Sequence, residues 1–192
     1  MTEQNLTVRV TVDAASPRSD VERTLASIGR TRRALRQSLR GVAIVLVAPP
    51  DRAVELGAIA WHEVCRLPVS VRSTADADWD VPLGYVAVCR AGEFVDRRFL
   101  PRAVELLDRF GSRAIVHPHH VLVATTPPRL LRLPDTRRDH IPLDAFVDGD
   151  PWPGILCTST GVLQTVGDPR GDRTTAGSEW ATEAIRLAIH HL

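Results

Sequence analysis

The sequence contains no lysine, and all 24 of its basic residues are arginine. This usage is typical of a GC-rich genome, and we expect a bacterial source. Acidic residues number 23, so the formal net charge is only +1. A dedicated nucleic-acid-binding protein usually has a strong basic excess. The charge balance therefore excludes that class, and we expect no nucleic-acid partner.

Cysteine and long apolar runs are also scarce. Cys65, Cys89 and Cys157 stand singly in apolar surroundings, and their odd number does not favour a disulfide framework. Unpaired cysteines are typical of a reducing compartment. No apolar run approaches the roughly 20 residues of a transmembrane helix, and residues 1–5 are polar, unlike a signal peptide. We expect a cytoplasmic protein without a membrane span.

What is present is an ordinary globular composition. Apolar residues make up 44% and charged residues 24% of the 192 positions, which is the balance of a protein with a buried core. A chain of this length suits one domain, and no internal repeat or long low-complexity linker divides it. We therefore expect a single domain over residues 1–192.

The apolar pattern predicts an α/β fold. Predicted strands cover residues 6–12, 42–47, 69–72, 84–89, 114–116 and 121–124. Predicted helices cover residues 19–40, 52–65, 97–110 and 178–190, and residues 125–138 and 144–153, rich in proline, are predicted to be long loops. Alternating strands and helices imply a mainly parallel sheet, with ligand-binding loops at the carboxyl ends of its strands.

Residues 84–100 read GYVAVCRAGEFVDRRFL: an apolar run, a short polar turn and the start of a helix. This stretch resembles the centre of family 2 glycosyltransferases, where a buried strand Y-V-x-x-x ends in D-A-D-D and x-x-D-P-x-F-L follows. The matching residues are Tyr85, Asp96, Phe99 and Leu100. The family's metal-binding aspartates fall on Arg90 and Gly92, and only Glu93 keeps an acid.

Other segments resemble the same family in the same order. Residues 21–28 (VERTLASI) match its first helix, and residues 45–51 (VLVAPPD) stand where a strand ends in the aspartate that holds the nucleoside. Residues 179–187 (EWATEAIRL) stand for E-D-x-D-L-x-x-R-L, with Trp180 at the position of the general base. The resemblance covers roughly residues 6–190. It implies the GT-A fold, a three-layer α/β sandwich with a mainly parallel central sheet.

The resemblance also implies a set of site residues. Donor-binding candidates are Asp13, Asp51, Arg90, Glu93 and His117. Glu179 and Glu183 are the remaining candidates for the catalytic base. The alternative for Glu179 is a favourable interaction with the dipole of the helix that it begins.

No metal cofactor is expected at the turn after residue 89. Arg90 can replace a cation, because a guanidinium pairs bidentately with phosphate oxygens; the alternative is that it pairs with Glu93 across the turn. A displaced site for Mg²⁺ or Mn²⁺ at Asp76, Asp78 and Asp80 is a weaker alternative to a solvated acidic loop.

Two further sequence patterns each have two interpretations. His117 begins the run H-P-H-H, which predicts substrate contact or loop packing; adjacent histidines in extended chain point to opposite faces, which disfavours a metal site. The arginines of residues 30–40 form a basic run that is either solvated or faces an anionic membrane surface or partner.

The sequence therefore supports two functional hypotheses. The first is a small glycosyltransferase-like enzyme that binds a nucleotide sugar, with Arg90 in place of a metal and with weak or altered activity. The alternative is a catalytically inactive domain of the same fold that acts as a protein partner or regulator, since acids are missing at Arg90, Gly92, Trp180 and Ala48.

Overall fold

The computed structural model describes residues 4–39, 41–76, 83–111, 114–118, 120–123, 129–132, 154–166 and 190–191. The strands are β1 (Asn5–Thr11), β2 (Gly41–Ala48), β3 (Val69–Ser73), β4 (Gly84–Arg90), β5 (Ala114–Val116), β6 (His120–Val123), β7 (Arg129–Arg132), β8 (Leu156–Ser159) and β9 (His190–His191). The helices are α1 (Arg18–Gly29), α2 (Arg32–Ser38), α3 (Pro50–Gly57), α4 (His62–Cys65), α5 (Phe99–Phe110) and α6 (Thr160–Val166).

Seven of the described strands form one sheet in the order β3-β2-β1-β4-β8-β5-β9, and β6 and β7 form a separate antiparallel pair. The pairs β1–β2, β1–β4, β2–β3 and β5–β9 are parallel. Within this sheet β8 alone runs antiparallel to its neighbours. The predicted α/β architecture with a mainly parallel sheet is confirmed.

The first face of the sheet carries the main apolar core. Every second side chain of β1, β2 and β4 points into it, namely Leu6, Val8, Val10, Val42, Ile44, Leu46, Tyr85, Ala87 and Cys89. Leu25 and Ile28 of α1 and Leu100 and Leu107 of α5 complete this core and are buried. Helices α1 and α5 are amphipathic, because only the face of each helix that packs on the sheet is buried.

The second face differs along the sheet. Val86 and Val88 of β4 are fully buried there, so the central strand is covered on both sides, as predicted. On β1 the same face carries Thr7, Arg9 and Thr11, three polar residues in register with β4. A polar line therefore runs along the centre of the second face and ends at the carboxyl edge of the sheet.

The one tyrosine joins β4 to α5. The hydroxyl of Tyr85 donates a hydrogen bond to Oδ1 of Asp108 at 2.6 Å. Burial, and then the bond to Asp108, raises the pKa of Tyr85 above its usual range. The phenol is therefore a constant donor, and it fixes the position of α5 relative to the central strand.

Two helices were predicted as longer than they are. The helix predicted over residues 19–40 consists of α1 and α2, which are separated at Thr31, whose buried hydroxyl donates to Ile28 O at 2.7 Å. Helix α1 begins at Arg18, one residue before the predicted start. The helix predicted over residues 52–65 consists of α3 and α4. The buried indole of Trp61 donates to Leu56 O at 2.8 Å and turns the chain between them.

Four described elements were missed by the sequence analysis, namely β7, β8, α6 and β9. Strand β7 lies inside the loop predicted over residues 125–138 and pairs with β6 as a hairpin. Strand β8 and helix α6 follow the second proline-rich segment and were not predicted. The predicted helix over residues 178–190 lies outside the described residues except for His190, which begins β9. No described helix is both long and apolar enough to span a membrane.

The three thiols are expected to be unreactive in the folded protein. Cys89 and Cys157 are 0% exposed and Cys65 is 2% exposed. Burial raises the pKa of the Cys157 thiol to about 12 and also raises the pKa of Cys65, so little of the reactive thiolate forms at pH 8.

We predict that DTNB modifies no thiol in native protein at pH 8 and three in guanidinium chloride. Fast modification of one thiol per native chain would contradict this burial.

Candidate functional site

The carboxyl ends of β1, β2 and β4 meet at one edge of the sheet. Residues Val47, Thr11 and Arg90 are in register across these strands. Hydrogen bonds continue past the strand ends, from Val12 N to Val47 O at 2.8 Å and from Ala91 N to Thr11 O at 2.9 Å. Loops that follow parallel strands at such an edge commonly form ligand sites. We call this the carboxyl edge.

The turn after β4 is fastened to α1 by two buried hydroxyls. Oγ1 of Thr24 accepts a hydrogen bond from Gly92 N at 2.9 Å and donates one to Glu93 O at 2.8 Å. Oγ of Ser27 accepts from Val95 N at 3.0 Å. Thr24 and Ser27 are both fully buried. The backbone polar groups of the turn are therefore satisfied by the protein itself, and the turn has a fixed position.

Glu93 contacts Arg90 through the backbone. Its Oε2 accepts a hydrogen bond from Arg90 N at 3.0 Å, and Glu93 N donates to Arg90 O at 3.1 Å. The guanidinium of Arg90 is half-buried and forms no ion pair with another described residue. The alternative in which the Arg90 side chain pairs with Glu93 is therefore wrong, since the carboxylate closes the turn instead.

Gly92 has a backbone conformation that suits glycine. Its φ is +94°, and a Cβ built there would lie 3.3 Å from Oδ2 of Asp20 in the first turn of α1. A side chain at this position would meet both backbone strain and a carboxylate. An aspartate at the position that carries a metal-binding acid in the resembled family would therefore be strained at this φ and crowded against Asp20.

The loop between β1 and α1 is held by Arg52, which the sequence analysis missed. Nη2 of Arg52 donates to Ser16 O at 2.9 Å, and Nη1 pairs with Glu55. Within the loop, Asp13 N donates to Ser16 Oγ at 3.1 Å. A basic residue directly after Asp51, at the start of a predicted helix, was the signal that could have indicated Arg52.

Two polar atoms at this edge are buried without a hydrogen-bond partner among the described residues. They are Oγ1 of Thr11 and Nε of Arg52. Thr11 lies in register with Arg90, so the two side chains are neighbours on the second face of the sheet. An unsatisfied buried hydroxyl destabilises a protein. A polar ligand beside Arg90 would provide the missing partner.

All five donor-binding candidates lie at the carboxyl edge, four of them around the ends of β1, β2 and β4. Asp13 follows β1, Asp51 lies in the first turn of α3 after β2, and Arg90 and Glu93 flank the turn after β4. His117 follows β5 at the same edge but on the far side of β8, where it is nearly buried. Its Nδ1 lies 3.5 Å from Pro118 O.

The remaining candidates are not brought together. Asp76 follows β3, and its Oδ2 accepts a hydrogen bond from Ser73 N at 3.1 Å, which closes a local turn. Asp78, Asp80, Glu179 and Glu183 lie outside the described residues. Among the described residues, no three His, Cys, Asp or Glu side chains converge as a metal site would require.

The fold is similar to several solved nucleotide-sugar enzymes. A mannosyltransferase from Pyrobaculum calidifontis, solved with GDP-Man and Mn²⁺, superposes with a TM-score of 0.57 at 14% identity, covering 96% of this chain and 53% of that one. Glucosyl-3-phosphoglycerate synthase from Mycobacterium tuberculosis, in complex with Mn²⁺, UDP and glucosyl-3-phosphoglycerate, gives 0.51 at 15% identity, covering 98% and 68%. This chain thus spans about half the length of the mannosyltransferase.

A third solved structure has the same fold. The 4-diphosphocytidyl-2C-methyl-D-erythritol synthase of Anaerococcus prevotii DSM 20548 gives a TM-score of 0.54 at 11% identity, covering 94% of this chain and 84% of that one. No protein-family model and no curated protein matches the sequence. The protein has the GT-A nucleotide-diphospho-sugar transferase fold, as the sequence resemblance implied.

Restoring the missing acid should destabilise the fold. We predict that Gly92→Asp lowers the free energy of unfolding by about 1–3 kcal/mol, because it adds positive-φ strain and a second carboxylate beside Asp20. Urea unfolding at low and high NaCl measures this, and the repulsive part should shrink with salt.

The matched control is Gly111→Ala. Gly111 has φ +88°, and a Cβ added there would meet nothing within 4 Å, so this variant reports backbone strain alone. Gly92→Asp should be more destabilising than the control at low salt. A Gly92→Asp protein as stable as the unsubstituted chain would refute the fixed turn.

Proposed function

We propose that this protein is a small glycosyltransferase of the family 2 type that binds the diphosphate of a nucleotide sugar at the carboxyl edge, with Arg90 in place of a metal ion. The observation that carries the proposal is the half-buried Arg90 guanidinium at the end of the central strand, with no ion pair among the described residues. The solved relatives by fold were bound to GDP-Man or UDP.

The chemistry requires positive charge at this point. Transfer of a sugar from a nucleotide leaves a diphosphate, whose developing charge a divalent cation commonly stabilises. A guanidinium provides a permanent charge and two parallel donors for phosphate oxygens. The neighbouring Thr11 hydroxyl adds one donor, and its lack of a partner is removed when it binds a phosphate oxygen.

The other roles follow from position. Asp13 and Asp51, at the ends of β1 and β2, are proposed to contact the nucleoside, and Glu93 keeps the turn closed beneath the diphosphate. His117 is proposed to contact the donor from β5. Glu179 or Glu183 would serve as base, and Mg²⁺ or Mn²⁺ enters only if Asp76, Asp78 and Asp80 form a displaced site. We place this activity in the cytoplasm.

The second candidate is a catalytically inactive domain that binds a protein partner. It is favoured by the geometry of the turn after β4. Gly92 is held at φ +94° beside Asp20, so an acid at the family's metal-binding position would be strained and close to a second carboxylate. In this case the fold persists as a scaffold, and no nucleotide binds at the carboxyl edge.

A ligand screen separates the two candidates. Thermal denaturation would be recorded with UDP, GDP, CDP and their sugar conjugates, each with and without Mn²⁺. A ligand that binds only the native state raises its stability by RT ln(1 + [L]/Kd). We expect one nucleoside diphosphate to raise the melting temperature equally with and without Mn²⁺. No shift with any nucleotide at millimolar concentration would establish the inactive-domain alternative.

The contribution of Arg90 can then be measured by calorimetry. Loss of a charge-assisted hydrogen bond is worth about 1.5–3 kcal/mol, so we predict that Arg90→Ala weakens nucleotide binding roughly ten- to a hundredfold. Arg90→Lys should recover only part of the affinity, because an ammonium lacks the bidentate fork. The matched control is Arg97→Ala, which removes an exposed arginine seven residues further on.

A second variant tests the neighbouring hydroxyl. Thr11→Val removes a buried Oγ1 that has no partner among the described residues, so the free energy of unfolding should not fall. Nucleotide affinity should fall if this hydroxyl contacts the diphosphate. Tight binding that neither Arg90→Ala nor Thr11→Val reduces would show that the diphosphate does not lie at this edge.

A further inference from the structure

A second cleft lies at the opposite, amino-terminal edge of the sheet. It is open, has a volume of about 650 Å³, and is lined by Arg32, His62, Glu63, Arg66, Leu67 and Pro68. These residues come from the start of α2, from α4 and from the segment that enters β3. The carboxyl edge lies at the other end of the parallel strands, so this cleft is separate from the proposed donor site.

The cleft has an excess of positive charge. Arg32 and Arg66 form no ion pair with another described residue, and neither does Glu63, the one acid in the lining. The lining therefore contains two arginines and His62 against one glutamate. Unpaired guanidinium forks in a concave site are suited to a multivalent oxyanion, which accepts several hydrogen bonds at once.

Arg66 is held in a conformation that disfavours its side chain. Its φ is 57°, in the left-handed region, and its N–H donates to His62 O at 2.7 Å to end α4. Glycine is the usual residue at such a helix end, because a Cβ is strained there. Such outliers often mark sites of function. The chain keeps a guanidinium at a point where glycine would be more stable.

Close packing of α1 on α4 fixes the two sides of the cleft. A Cβ at Gly29 would lie 2.6 Å from Cys65 O and 2.9 Å from Cys65 Cα, so the two backbones are in contact. Arg32 follows Gly29 by three residues, and Arg66 follows Cys65 directly. The contact therefore holds the segments that carry the two arginines at one fixed separation.

We propose that this amino-edge cleft binds a phosphate group through Arg32 and Arg66. The bound species is either a small soluble phosphate or the phosphomonoester headgroup of a lipid, since both present the same tetrahedral dianion. The site goes beyond the proposed donor function, and it does not depend on Arg90.

Calorimetric titration of the full chain with inorganic phosphate, at constant ionic strength, tests the proposal. We expect saturable binding that Arg32→Ala and Arg66→Ala each weaken roughly ten- to a hundredfold. The matched controls are Arg33→Ala and Arg36→Ala, which remove exposed arginines of the same helix outside the cleft. Equal weakening by the controls, loss of binding in Arg90→Ala, tighter binding of succinate than of phosphate, or absence of saturable binding would each overturn the proposal.

Arg66→Gly distinguishes binding from folding. Glycine suits the left-handed end of α4, so this variant should melt at a higher temperature than the unsubstituted chain and still bind phosphate at least tenfold more weakly. An Arg66→Gly protein that binds phosphate as tightly as the unsubstituted chain would exclude Arg66 from the phosphate site. Sedimentation with phosphatidic acid vesicles identifies the source. Vesicle binding that phosphate displaces and Arg66→Gly abolishes indicates a lipid headgroup, whereas a chain that binds phosphate but does not sediment with the vesicles indicates a soluble ligand.

Discussion

The hydroxyl of Thr24 joins the first helix to the turn that ends the central strand, and the arrangement of the carboxyl edge depends on it. Its Oγ1 accepts a hydrogen bond from Gly92 N at 2.9 Å and donates one to Glu93 O at 2.8 Å. Because Thr24 holds the turn, the Glu93 carboxylate can close it by accepting a hydrogen bond from Arg90 N. The Arg90 side chain then remains available to a ligand. The same bonds keep Gly92 at positive φ against Asp20. The turn after β4 is thereby stabilised by bonds from within the protein.

The parts of the fold that were predictable are those with strong periodicity and continuous apolar runs. Strands β2 and β4 are apolar over most of their length, β1 alternates apolar and polar residues, and the order of strands and helices implied a parallel sheet. Helix ends were predicted less well, because they depend on single side-chain hydrogen bonds to the local backbone. The breaks at Thr31 and Trp61 rest on hydrogen bonds to Ile28 O and Leu56 O, which no pattern in the sequence reveals. Strand β8 was missed because Thr158 and Ser159 are polar yet buried, and Thr158 is satisfied by Ala114 O.

The positions of the candidate residues were predictable to the extent that topology alone decides them. Parallel strands place the residues that follow them at one edge of the sheet. The sequence alone therefore allowed Asp13, Asp51, Arg90 and Glu93 to be grouped. The role of each was less accessible. Glu93 bonds to a backbone amide, and that choice depends on the φ of Gly92, which a sequence does not state. Thr11 and Arg52 were overlooked because a threonine in a strand and an arginine in a helix are common, and only burial without a partner distinguishes them.

The position of β8 has a consequence for how the chain assembles. This strand, formed by residues 156–159, lies between β4 and β5, which end at residues 90 and 116. During synthesis β1 to β4 can pair as they emerge, whereas β5 has no partner on the β4 side until some 40 further residues have left the ribosome. Until then the edge of β4 presents unpaired backbone groups, the usual starting point for association between nascent chains. Pairing of β8 with β4 and β5 is therefore the expected slow step of folding, because contacts between residues far apart in the sequence form late.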